Sequence, residues 1–202
     1  LAPEPAGLTL PFRLLAIGDR SRATPASIAA LAGAGGADVA LLLRDPLLST
    51  EATMEWAAEA LALCRPAGVG VLVHGSAIVA RESGADGVHL PERASVAAAR
   101  SILGPGVLIG ASRHDAEGVR EAALAGADYA TLSPIFPTPG KGKPFGLAVF
   151  AEIARSSGLP VVALGGIAAE NAAACRAAGA AAVAAIRGVW EGDVARNVRS
   201  LL

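Results

Sequence analysis

Aromatic side chains are nearly missing from this chain: Phe, Trp and Tyr together make up 3% of its 202 residues. The large core that such a length allows must therefore be packed from Ala, Val, Leu and Ile. Long apolar runs are missing too. None reaches the roughly 18 residues of a membrane span, so no membrane partner is expected. Neither sign of charge dominates. A formal net charge of -1 argues against nucleic acid or an anionic membrane surface as the main partner. Cysteine is reduced to Cys64 and Cys175, far apart in helix-like stretches and without metal-ligand spacing. They read as reduced packing residues of a cytoplasmic protein. Residues 1–12 are expected to be irregular. Leu1 to Leu10 lacks the basic start and apolar core of a signal peptide, and the missing initiator methionine suggests a trimmed chain. Lysine is confined to Lys141 and Lys143.

What is present is a repeating pattern. Eight short, continuous apolar runs read as strands buried on both faces: 14–17, 39–43, 69–73, 87–90, 107–110, 129–132, 161–164 and 182–186. Helix candidates lie between and after them, at 27–33, 49–65, 77–82, 95–103, 115–124, 147–156, 169–177 and 193–201. Several end in a glycine suited to closing a helix in the left-handed conformation, such as Gly84, Gly126, Gly158 and Gly179. The steps Gly84-Ala-Asp86 and Gly126-Ala-Asp128 repeat at the entry to the next strand. Eight strand-helix units in about 200 residues match the lower size limit of a parallel (β/α)8 barrel. An open doubly wound sheet is the competitor. The count of eight and the missing Gly-x-Gly-x-x-Gly after the first strand favour a single-domain TIM barrel of the α/β class over residues 1–202.

In such a barrel chemistry belongs at the carboxyl ends of the strands. The second strand there is followed by Arg44-Asp45-Pro46, the third by His74-Gly75-Ser76, the fourth by Pro91-Glu92-Arg93 and the fifth by Ala111-Ser-Arg-His114. The sixth opens a proline- and glycine-rich loop, Ser133 to Gly146, which carries both lysines. Gly165-Gly166 follows the seventh strand and Arg187-Gly188 the eighth. Loops seven and eight are where such barrels bind phosphate on main-chain N–H groups. A tight turn that merely needs glycine is the plainer alternative. His74, His89 and His114 lie near ends of adjacent strands, but a three-histidine metal site is the less favoured reading. His89 is expected to face the barrel wall or to be satisfied by a backbone group. His74 is the best placed for ligand contact and proton relay. Rim carboxylates are few (Asp19, Asp45, Glu92), so no magnesium-diphosphate cage is evident.

The motifs Gly84-Ala-Asp-Gly-Val-His-Leu90, Ile109-Gly-Ala-Ser-Arg-His114, Gly126-Ala-Asp-Tyr129, Ser133-Pro-Ile-Phe-Pro-Thr138 and Pro160-Val-Val-Ala-Leu-Gly-Gly-Ile167, in this order, resemble the thiamin phosphate synthase and TenI superfamily from Leu14 to about Val189. The resemblance implies an eight-stranded barrel with a site for thiazole phosphate. Synthases of the family join hydroxymethylpyrimidine diphosphate to that thiazole with magnesium. The TenI branch isomerises a thiazole carboxylate phosphate or has no known activity.

Motif by motif the likeness is uneven. Arg44 matches the arginine of the family's Gln-Leu-Arg-Glu-Lys, with Leu42 and Pro46 in place of its ends. His74-Gly75-Ser76 replaces Asn-Asp-Arg, and Pro91-Glu-Arg-Ala94 replaces Gly-Gln-Asp/Glu-Asp, so both magnesium aspartates are gone. Ser112 matches a synthase serine. Thr138 and Lys141 match Thr-x-Thr-Lys, with Gly140 for its second threonine. Gly165, Gly166 and Gly188 fall on the thiazole phosphate cradle, where Arg187 replaces a usual serine. Pro134 replaces a TenI histidine.

The resulting expectation is a TenI-like protein that binds thiazole phosphate or thiamin phosphate. Its catalytic candidates are His74, Arg44 and Lys141. Its ligand contacts are Ser112, Thr138, Gly165, Gly166, Arg187 and Gly188, with no protein metal site. Anionic oxygens would then meet Arg44, Lys141 and Arg93 in place of the metal. The alternatives are an active divergent synthase that uses Mg2+ and a non-catalytic metabolite-binding regulator. A homodimer is compatible with the family.

Overall fold

The computed structural model describes residues 9–202. Eight parallel strands close into a barrel in sequence order, β1 pairing with both β2 and β8. They are β1 (Leu14–Gly18), β2 (Val39–Leu43), β3 (Gly70–His74), β4 (Gly87–Leu90), β5 (Leu108–Arg113), β6 (Tyr129–Leu132), β7 (Val161–Leu164) and β8 (Ala182–Ala185). The helices are α1 (Pro25–Gly35), α2 (Thr50–Cys64), α3 (Ala77–Ser83), α4 (Val96–Leu103), α5 (Ala116–Leu124), α6 (Gly146–Ser156), α7 (Ala169–Ala177), α8 (Arg187–Trp190) and α9 (Val194–Leu201). The (β/α)8 expectation is met. The short α8, ahead of the last helix, is an element the sequence reading missed. Of the segment expected to be irregular, residues 1–8 lie outside the described residues, and residues 9–12 form neither helix nor strand.

Helix starts follow local chemistry. Ser49, Ser76, Ser95, Asp115 and Asp193 each accept from an N–H one turn ahead of α2, α3, α4, α5 and α9 respectively, satisfying donors that the helix cannot. The repeated Gly-Ala-Asp has a structural use. Its glycine closes a helix or turn with positive φ (70° at Gly84, 88° at Gly126). Its aspartate then reaches sideways to the preceding strand. Asp86 accepts from the Val71 N–H at 2.8 Å, and Asp128 from the Ile109 N–H at 2.6 Å and from Arg100 at 2.7 Å.

Alternation along the strands sorts side chains to two cores. One set faces the helices, among them Leu41, Leu43, Val71, Val73, Val88, Ile109 and Leu132. The other fills the barrel interior: Leu15, Ile17, Ala40, Leu42, Leu72, Tyr129, Val162, Ala182 and Ala184, with Phe12 closing the amino end edge-on to Tyr129. The same alternation carried to the strands' carboxyl ends sets the polar residues. On β2, Leu42 leads two residues on to Arg44. On β3, Leu72 leads to His74. On β5, Gly110 leads to Ser112.

Both cysteines are free and buried. Burial pushes the Cys64 thiol up to about 11, so it packs as a small apolar group. Among the described residues no helix is long and apolar enough to cross a membrane.

Candidate active site

A cavity of about 880 Å3 opens at the carboxyl ends of the strands, and all nine expected site residues line it: Arg44, His74, Ser112, Thr138, Lys141, Gly165, Gly166, Arg187 and Gly188. Arg93 does not. It is exposed outside the lining set, so it is withdrawn as a charge facing the ligand. In the turn after β4, Pro91 and Glu92 line the cavity and Arg93, the next residue, is exposed to solvent.

The floor is polar and buried. His89 is 3% exposed and sits inside the barrel. Its Nδ1 lies 3.0 Å from the Tyr129 hydroxyl, and its Nε2 lies 3.0 Å from Ser112 Oγ. The expectation of a backbone partner for His89 is therefore corrected: two side chains satisfy it. Burial first, then the nearby His74, Arg113 and Arg44, hold His89 far below the usual histidine range, at about 3. Burial and the Arg44 charge lower His74 to about 4. Both imidazoles are neutral at pH 7, so neither adds a fixed charge to the cavity.

Two placements differ from the sequence reading. Ser112 and Arg113 were expected after the fifth strand, but β5 runs through Arg113. Polar residues at a strand's carboxyl end look like loop in sequence, yet at a barrel mouth they face the lumen or the rim. Arg113 is buried and structural. It donates to the Gly118, Glu92 and Ser112 carbonyls, tying the loops after β4 and β5 together. His114 lines the cavity and was given no site role from sequence. Its Nδ1–H donates to the Ser133 carbonyl at 2.7 Å.

The loop after β6 folds onto β7. Ile135 N–H donates to Leu164 O and Phe136 N–H to Gly165 O, both at 3.0 Å, and the Thr138 hydroxyl donates to Phe136 O. The glycines after β7 allow this approach. Gly165 and Gly166 have positive φ (101° and 67°). A Cβ on Gly165 would come within 2.7 Å of Pro134, and one on Gly166 within 2.8 Å of Phe136. The tight-turn reading of Gly165-Gly166 is thus correct as far as it goes, because these residues let two loops touch. Yet Gly165, Gly166 and Gly188 also line the cavity. Among the described residues, the N–H groups of Gly166 and Ile167 donate to no protein carbonyl. Asn171, overlooked in sequence, fixes this turn. Its Nδ2 donates to Gly166 O at 2.8 Å, and its Oδ1 accepts from Ala168 N–H at 3.0 Å. Such a pattern, Asn three residues after a helix N-cap, was visible as half of a capping box.

The corner so formed offers free amides just before α7, in a cavity that Lys141 and Arg187 also line. This is the chemistry that holds a phosphate. Arg44, after β2, adds a third cation to the lining.

The magnesium implied by the resemblance does not fit the donor set. Asp19 is taken up by Ser21 and Arg22, and Asp45 by the Arg20 and Leu47 N–H groups; neither lines the cavity. The lining carboxylates are Glu92, Glu170 and Glu191, from the loop after β4, the first turn of α7 and the turn after α8. Among the described residues no cluster of three or more His, Cys, Asp or Glu side chains is able to hold a metal ion.

Comparison with known proteins agrees with this architecture. The profile of the family described as "Thiamine monophosphate synthase" matches residues 14–189. A thiamine-phosphate synthase of Methanoculleus marisnigri is 44% identical over 183 residues, covering 88% of this chain and 86% of that protein. One from Roseiflexus castenholzii is 37% identical over 201 residues, covering 93% and 88%. The solved thiamine phosphate pyrophosphorylase of Pyrococcus furiosus superposes with a TM-score of 0.85 at 30% identity, covering 94% of this chain and 93% of that one. With the barrel, the mouth residues and these likenesses taken together, the chain belongs to the thiamine monophosphate synthase family.

Proposed function

We propose that this protein joins hydroxymethylpyrimidine diphosphate to thiazole phosphate, forming thiamin phosphate and diphosphate. The observation that carries the reading is the amide corner at Gly166 and Ile167, which lines the same cavity as the cations Lys141, Arg187 and Arg44. Two anionic groups need two cationic poles. The thiazole phosphate rests on the corner, with Lys141 and Arg187 beside it. The diphosphate lies toward Arg44. In the transfer, a bond forms between the thiazole nitrogen and the pyrimidine's methylene carbon, and the carbon–oxygen bond to diphosphate breaks. The protein's part is to hold the two reactants in line and to stabilise the departing charge. The names carried by relatives at 44% and 37% identity over most of their length support this reading over an isomerase.

The test is direct. Purified protein with both substrates, in magnesium and in its absence, is expected to yield thiamin phosphate and diphosphate by chromatography. No product from either mixture at stoichiometric enzyme would overturn the assignment.

One observation favours a second reading. The two carboxylates of the synthase magnesium site fall on the His74-Gly75-Ser76 and Pro91-Glu92-Arg93-Ala94 segments, which hold no aspartate. That change suits a TenI-like protein which takes thiazole phosphate alone, in which the neutral His74 moves a proton. Conversion of a thiazole carboxylate phosphate between its isomers, without transfer to a pyrimidine, would establish it.

A further inference from the structure

We propose that Tyr129 is a positioning residue: it holds His89 as the Nε2–H tautomer, which makes the Ser112 hydroxyl a hydrogen-bond donor into the cavity. Tyr129 is wholly buried in the barrel interior, and His89 Nδ1 is the one partner its hydroxyl has among the described residues. A buried phenol left without an acceptor is costly. The phenol therefore donates to Nδ1, and that nitrogen carries no proton. His89 is neutral, as its burial among Arg44, Arg113 and His74 requires. Its single proton is then on Nε2, where it is donated to Ser112 Oγ at 3.0 Å. Ser112 Oγ makes no other bond to a described side chain or main-chain group, so its own hydrogen turns to the cavity that it lines.

The Thr131 hydroxyl lies 3.4 Å from the same Nε2; like Ser112 it can accept from Nε2–H, so it does not oppose this tautomer. The alignment is built into the strand faces. Gly110, the inward residue between Tyr129 and His89, has no side chain to part them: a methyl there would overlap the Tyr129 ring and come within 2.5 Å of His89 Nδ1. Phe12 packs edge-on to the far side of the Tyr129 ring, with centroids 5.7 Å apart. The chain Tyr129, His89, Ser112 thus runs from the barrel centre to the cavity floor. It selects a ligand that presents a lone pair at Ser112, such as a heterocyclic nitrogen or a phosphate oxygen, and disfavours one that presents a hydrogen.

The tautomer stands independently of the proposed reaction; its effect on turnover rests on that reading. Nitrogen NMR of the full-length protein labelled in histidine reads the tautomer directly, with the His89 signals assigned by their loss in His89→Gln. The expected result at pH 7 is a neutral ring protonated on Nε2. In Tyr129→Phe, which removes one oxygen atom, the Nδ1-protonated form is expected to appear. An Nδ1-protonated or doubly protonated ring in the wild type, or an unchanged tautomer in the variant, would overturn the proposal. If the variant does not fold, the wild-type spectrum alone decides. In the thiamin phosphate assay, Tyr129→Phe is expected to lower kcat about tenfold, the worth of one hydrogen bond. The same change is expected to cost nothing further in a Ser112→Ala background. Additive losses would contradict the relay. No product in any protein would count against the synthase reading and leave the spectroscopic result to judge the tautomer.

Discussion

At the scale of residues, the mouth of this barrel is made of groups whose protonation is fixed by burial. His74 and His89 are held neutral, at about 4 and about 3, by desolvation first and by neighbouring positive charge second. The sign of the linkage follows. An unfolded histidine takes up a proton near pH 6.5, whereas these two do not, so the unfolded chain binds more protons below that pH. Their contribution to stability is complete above about pH 6.5 and is lost as pH falls toward 4 and then 3. Two protons correspond to a limiting slope of about 2.7 kcal/mol per pH unit. Denaturant unfolding between pH 7 and 5 is expected to show stability falling with acid, and His89→Gln to remove roughly half of that slope. A halved slope would mean that one ring takes up its proton in the fold, and a flat profile that both do. Among the site residues, Arg44, Ser112 and the glycines could be read from sequence because they end or follow apolar runs at barrel positions. Asn171 carried a local capping-box signal, whereas Tyr129 and His114 could not be assigned roles that way. Their parts depend on which strand neighbours which, and on a register that places Tyr129 and His89 either side of Gly110.

Elements explain how those residues stay in register. The eight strands were legible because continuous apolar runs bounded by glycine have few other uses in a chain with so few aromatics. Their carboxyl ends were less so. β5 extends to Arg113 because Ser112 faces the lumen and the Arg113 side chain bonds to the adjoining loops, and neither looks like strand in a one-dimensional reading. The Gly-Ala-Asp repeat was visible as a pattern, but its meaning is a cross-strand staple. Asp128 receives both the Ile109 N–H and Arg100 and so anchors the start of β5, the strand that carries Ser112. A charge-assisted bond to a main-chain N–H contributes about 1.5–3 kcal/mol, and the partly exposed ion pair at most about 1 more. Asp128→Ala is expected to lower Tm by roughly 4–8 °C, taking about 2 kcal/mol at 2–4 °C each. Asp128→Asn, which keeps one acceptor, should lose less. Scanning calorimetry decides it, and equal losses in the two variants would show that the carboxylate's charge, rather than the staple to β5, is what counts. The contact between the loop after β6 and the turn after β7 is a second such coupling. It makes Gly166→Asp a poor probe of phosphate binding, since the new side chain would first displace Phe136.

At the scale of the whole molecule, a closed barrel turns eight local strand ends into one cavity. Arg44, Lys141 and the Gly166 corner come from loops after β2, β6 and β7, which no sequence window unites. The fold was legible from counting units. The arrangement of charge within the mouth was legible only in part, since Arg93 was expected to face the ligand and does not. What the molecule presents is an oxyanion corner of main-chain amides in a cavity lined by three cations, with no carboxylate cluster for a metal among the described residues. The most direct measurement is a crystal structure with thiamin phosphate bound, grown without magnesium. The phosphate is expected within about 2.7–3.2 Å of the Gly166 and Ile167 amides, beside Lys141 and Arg187. A phosphate seated elsewhere, or bound to those amides only when magnesium bridges it to Glu92, would contradict the account.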